Sequence, residues 1–155
     1  MNTYEQKVSQ FLNQKTIAIV GVSRNPQGAV SNAIYKKFRE NKLNVYPVNP
    51  NAEMIEEDKC YPNLKSVPEK VDAVFIATNP AISTEIVKQS IEAEVKTIWF
   101  HRAMGLGSFS EEAAKLGEEN GLTVIRSGCP MMFISKVDPF HKMLRFIMKL
   151  FGKLK

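Results

Sequence analysis

Thr16-Ile17-Ala18-Ile19-Val20-Gly21-Val22-Ser23-Arg24-Asn25-Pro26-Gln27-Gly28 begins as an apolar, β-branched run and breaks at a glycine into a polar loop. Such a run is a strand buried on both faces. In an open α/β sheet the loop after it leads into a helix whose unpaired N–H groups and positive dipole end attract phosphate. Gly21 permits the sharp turn and leaves room for a ligand, Ser23 adds a hydroxyl donor, and Gly28 lets the next helix start close to the sheet. Glycine at a strand–helix turn also serves purely steric ends, so the reading depends on the rest of the chain.

Outward from this stretch, strands and helices alternate. Short apolar runs recur at Thr16–Val20, Asn44–Val48, Ala73–Ala77, Thr97–Phe100 and Leu122–Ile125, each bounded by turn residues. Helical patterns lie between them at Ala29–Asn41, Ala81–Ala93 and Ser110–Asn120, and a short N-terminal helix spans about Thr3 to Asn13. Pro62 and Pro68 loosen the rhythm before Ala73, and Lys59-Cys60-Tyr61 reads as a short edge strand. The pattern predicts an α/β fold, a Rossmann-like, doubly wound, mainly parallel five-stranded sheet with helices on both faces. Ligands then belong at the C-terminal strand ends, where the strand order reverses. That rule nominates Gly21–Gly28, Asn49–Asn51, Thr78-Asn79-Pro80, His101-Arg102 and Ser127-Gly128-Cys129-Pro130.

The nucleotide is narrowed by what is missing. A dinucleotide fingerprint reads GxGxxG with a carboxylate about 20 residues on, which holds the adenosine ribose 2′-OH. Here Ser23 stands at the second glycine, and the second strand ends in Asn49-Pro50-Asn51 with no acid directly after it. NAD is therefore disfavoured.

At 155 residues and 44% hydrophobic content the chain suits one compact domain, 1–137, followed by a basic amphipathic helix, 138–155. Cys60 and Cys129 form no CxxC pair, and Met1 to Asn13 carries no signal-type apolar run, so the expectation is a reduced, soluble, cytoplasmic protein. The net charge of +5 is concentrated in Lys136, Lys142, Arg145, Lys149, Lys153 and Lys155, while the body is nearly balanced. Phe140, Met143, Leu144, Ile147, Leu150, Phe151 and Leu154 recur there at helical spacing. Docking on the protein's own sheet or on a symmetry mate is the expected use. Peripheral membrane contact is the alternative, and a nucleic-acid arm is not expected.

The motifs IAIVGVSRNPQG (Ile17–Gly28), VYPVNPN (Val45–Asn51), CYPNLKSVPEKVDAVFIATNP (Cys60–Pro80), IWFH (Ile98–His101) and SGCP (Ser127–Pro130) resemble the CoA-binding domain family, relatives of the N-terminal domain of the succinyl-CoA synthetase α subunit. The resemblance covers about Lys15 to Pro130. It implies coenzyme A as ligand, with the pyrophosphate near Gly21, Val22, Ser23 and Arg24 and the adenosine against Asn49, Pro50 and the Thr78-Asn79-Pro80 loop. Coenzyme A carries a ribose 3′-phosphate, which an acid after the second strand would repel. Asn51 stands where many relatives have Arg or Lys, so the cation must come from Arg24 or elsewhere. His101-Arg102-Ala103-Met104-Gly105-Leu106-Gly107 stands where many relatives have a Gln-containing loop; His101 and Arg102 either approach pantetheine or phosphate, or cap a helix or cover the sheet end.

The synthetase reaction needs a phosphohistidine and a nucleotide-triphosphate partner, both outside the region of resemblance. His141 has no evident carboxylate partner in the sequence, and no Cys/His/Asp cluster has metal-ligand spacing. The expected function is non-catalytic binding of CoA or an acyl-CoA as sensor, carrier or regulatory module. The alternatives are a small-molecule enzyme, NAD(P)-linked or using the Cys129 thiol, and an interaction module acting through the C-terminal helix.

Overall fold

The computed structural model describes residues 3–154. Its chain order is α1 (Tyr4–Leu12), β1 (Ile17–Val20), α2 (Val30–Glu40), β2 (Val45–Val48), β3 (Met54–Ile55), β4 (Asp58–Lys59), β5 (Ala73–Ile76), α3 (Pro80–Glu92), β6 (Thr97–Phe100), α4 (Glu111–Glu119), β7 (Thr123–Ile125) and α5 (Pro139–Leu150). Every residue of β1, β5 and β6 is buried, as expected of strands covered by helices on both faces.

Five strands form one parallel sheet in the order β2-β1-β5-β6-β7. The order reverses between β1 and β5. The expected edge strand is a correction in detail: Asp58–Lys59 pairs antiparallel with Met54–Ile55 in a separate hairpin, and only Tyr61 touches the main sheet, through a single parallel bridge to Val48. Proline at positions 47 and 62 limits how far that edge can be paired.

The helix ends follow local chemistry. Thr3 caps α1 in a capping box with Gln6, Asn79 caps α3 with Pro80 in its first turn, Ser110 caps α4, and Asp138 caps α5. On one face of the sheet lies an aromatic core, in which Trp99 meets Phe11 edge-on at 5.2 Å and Phe75 edge-on at 5.9 Å. Residues of α1, α2 and α5 close this face. On the other, α3 and α4 cover Ala18, Val74, Ile98 and Val124, with Gly117 pressed against Ile98 and Val124.

The C-terminal helix packs on its own chain. Leu144 and Met148 enter the aromatic core, Arg145 lies 4.4 Å over the Phe133 ring, and its guanidinium meets Glu5 of α1 at 3.0 Å. No helix among the described residues is long and apolar enough to cross a membrane.

Candidate functional site

Because α2 and α3 leave the sheet on opposite faces, the loops after β1 and β5 part and leave a crevice at the strand ends. Gly21 sits in it with φ +98°, a conformation L side chains rarely adopt. A Cβ there would lie 2.6 Å from the Ala77 carbonyl oxygen and 2.9 Å from Thr78 Cγ2, so the two loops are in direct backbone contact. The Gly21 N–H donates to the Val48 carbonyl at 3.0 Å, tying in β2 as well.

The turns are then latched together by amides. Asn49 Nδ2 donates to the carbonyl of buried Val22 at 2.8 Å, while Asn49 Oδ1 accepts the Asn51 N–H at 2.8 Å. Asn32, in the first turn of α2 and only 1% exposed, grips Ser23 at both ends: Ser23 N–H donates to its Oδ1 at 2.8 Å, and its Nδ2 donates to Ser23 C=O at 3.0 Å. The second Nδ2 hydrogen reaches Glu56 Oε1 at 3.0 Å, and Lys36 faces the same carboxylate at 3.7 Å. Ser23 Oγ accepts the Asn25 N–H at 3.1 Å.

Around this frame Gly21, Ser23, Arg24, Asn25, Asn49 and Asn51 line an open hollow of about 590 Å³. The N-cap of α2, Ala29, offers no side-chain hydrogen bond, and no acid stands in the first turn. The helix thus presents uncapped N–H groups and a positive end. Asn51 also borders a second hollow of about 700 Å³, with Pro50, Met54 and Lys59 on its wall.

Two expected residues have local duties. Asn79 Oδ1 accepts the Ala81 N–H at 2.9 Å as the α3 cap, and Pro80 begins that helix. Two others leave buried polar atoms without a protein partner among the described residues, Thr78 Oγ1 and His101 Nε2. His101 lies 5.8 Å from the Phe75 ring, and burial lowers its pKa below 6.5, so near pH 7 it is neutral and donates or accepts without supplying a charge. Folded His101 resists protonation, so its contribution is complete above the unfolded pKa near 6.5 and is lost as pH falls toward the folded value. Urea titrations at stepwise lower pH will show stability declining from about pH 6.5, with a flatter profile in His101→Gln.

The loop after β7 is tied to the rest of the chain, and its Ser127 borders a cleft of about 440 Å³. Ser127 C=O accepts from the Tyr4 hydroxyl at 3.0 Å and from Trp99 Nε1 at 2.9 Å, and Ser127 Oγ donates to the Lys153 carbonyl at 2.6 Å. Gly128 lies against the Tyr4 hydroxyl and Leu154, and bridges to Arg102. Cys129, 2% exposed, has its thiol pushed up to about 11 by burial. His141 is a further correction: its Nδ1 lies 2.6 Å from Asp138 Oδ2, the cap of its own helix. No group of three or more His, Cys, Asp or Glu positioned to hold a metal occurs among the described residues.

Sequence reasoning missed Asn32 and Lys59. Asn32 reads as one more polar residue in a helix start; its signal was a short amide in the turn that faces the loop. Lys59 is brought to Asn51 only by the β3–β4 hairpin.

A solved hypothetical protein from Pyrococcus horikoshii OT3 superposes with a TM-score of 0.75, at 33% identity, covering 84% of this chain and 88% of that one. Acetate–CoA ligase (ADP-forming) II of Archaeoglobus fulgidus is 31% identical over 105 residues, which are 67% of this chain and 15% of the ligase. The α subunit of acetate–CoA ligase (ADP-forming) II of Pyrococcus furiosus is 28% identical over 131 residues, 77% of this chain and 27% of the subunit. The chain therefore spans a small part of the ligases it matches. The model of the CoA binding domain matches residues 15–135, and the chain belongs to that family.

Proposed function

We propose that this protein binds coenzyme A, or an acyl thioester of it, at the β1–β5 crevice and holds it without transforming it, as a sensor, carrier or regulatory module. The observation that carries the reading is the Gly21 turn, pressed on Ala77 and lining a hollow with Arg24 at its rim, in the loop that leads into the uncapped start of α2. These features fit a pyrophosphate, whose oxygens take backbone N–H donors and a cation. Pro50 and Met54 offer the adenosine an apolar wall, and Lys59 is the cation that Asn51 does not supply for a 3′-phosphate. Glu56 is engaged by Asn32 and Lys36, while Glu53 stands on the same hollow wall as Lys59, so the phosphate must sit at the Lys59 side. Thr78 Oγ1 and His101 Nε2 are buried polar atoms suited to the amides of pantetheine.

The chemistry available in the chain supports binding over turnover. The Cys129 thiol is buried and stays protonated at neutral pH, neutral His101 has no carboxylate partner among the described residues, and His141 is engaged by Asp138 on α5. Calorimetric titration with CoA, dephospho-CoA and NAD tests the reading. CoA is expected to bind about tenfold or more tightly than dephospho-CoA, the worth of one charge-assisted phosphate contact, and Lys59→Ala is expected to erase the difference. Equal or tighter binding of NAD refutes the assignment.

A further inference from the structure

The described residues expose ten large hydrophobic side chains, and seven belong to two segments: Phe140, Met143, Phe146, Leu150 and Phe151 in and just after α5, and Met104 and Leu106 in the loop after β6. The segments are continuous, since Met104, Leu106 and Phe151 line one cleft of about 440 Å³. On α5 the buried stripe, Leu144 and Met148, faces the core, while Phe146 and Leu150 are 68% and 70% exposed on the far side. Helical geometry sets Lys142 and Lys149 along the Phe146 edge of that apolar face.

Charge distinguishes among occupants. Residues 136–155 hold six cations against one acid, while the preceding 135 residues hold fifteen of each. The whole net charge of +5 is therefore carried by the segment that displays the apolar face. Arg145 and Lys149 are partly neutralised by Glu5, whereas Lys142 and Lys153 form no ion pair among the described residues. A second copy would bring an equally cationic tail against this one, and like charges across an interface disfavour that pairing. An anionic lipid surface complements both features, accepting phenylalanine and leucine at the acyl boundary and lysine at the headgroups.

We infer that the outer face of α5, extended by Met104 and Leu106, docks the protein on an anionic phospholipid surface. The helix lies in the plane of the surface and does not cross it. The cleft on this face shares no lining residue with the Gly21 hollow, so docking does not depend on the CoA reading.

The test is co-sedimentation of the full chain with phosphatidylcholine vesicles prepared with and without phosphatidylserine, at low and high salt, alongside light scattering of the protein alone. Binding is expected only to the anionic vesicles and is weakened by salt. Lys142→Glu should lower the partition coefficient more than about fivefold, the effect of removing one lysine from the surface. Phe146→Glu with Leu150→Glu, at exposed positions that leave the fold and CoA affinity unchanged, should abolish binding. Equal binding to both vesicle types, no binding to either, or a dimer that the Phe146→Glu variant dissolves overturns the proposal.

Discussion

Gly21→Val is expected to abolish CoA binding and to destabilise the fold. The backbone at φ +98° costs an L residue roughly 1–3 kcal/mol on its own. The added Cβ would also stand 2.6 Å from the Ala77 carbonyl oxygen, on which β5 has no freedom to retreat because it is paired on both sides. The loops after β1 and β5 must therefore separate, and the crevice changes shape. The loss is read by calorimetric titration with CoA and by urea unfolding; Gly28→Ala, where a Cβ meets nothing within 4 Å, serves as the control at a second positive φ. A Gly21→Val protein that binds CoA normally would show that the turn is scaffold and not site.

Asn32→Leu should lower stability by about 2–4 kcal/mol, because it leaves the Ser23 N–H and C=O without their partner while removing buried hydrogen bonds. CoA affinity should fall with it, since the donors of the Ser23–Arg24 turn are no longer held in place. Asn32→Asp separates the two effects. Its carboxylate still accepts from Ser23 N–H but cannot donate to Ser23 C=O, and it faces the Glu56 carboxylate where the amide had donated. It is therefore expected to be at least as damaging as leucine at neutral pH and to recover partly as the carboxylates are protonated. Thermal unfolding and CoA titration of both variants across pH check the order.

The centre of the sheet was readable from the sequence because β1, β5 and β6 are four-residue apolar runs closed by a turn signal, and burial on both faces leaves no other use for such a run. Helix starts were equally legible at Asn79-Pro80 and Ser110. The candidate site was legible only as loops. That Gly21 touches Ala77, that Asn32 clasps Ser23, and that Lys59 shares a hollow with Asn51 are all contacts between residues brought together by the strand crossing or the β3–β4 hairpin. Nothing local announces that Tyr4 and the C-terminal tail will bond to the loop after β7. The Asp138–His141 pair had a local signal, an acid three residues before a histidine at a helix start, and was legible by the rule that found the other caps.

The most direct test of CoA binding at the switch point is the change in backbone amide resonances on adding CoA. The largest shifts are expected at Gly21–Asn25 and Asn49–Asn51, with Thr78 and His101 following. Shifts centred instead on the hollow at the opposite strand ends, lined by Leu64, Val67, Val71 and Gln89, or no shifts at saturating CoA, would contradict it.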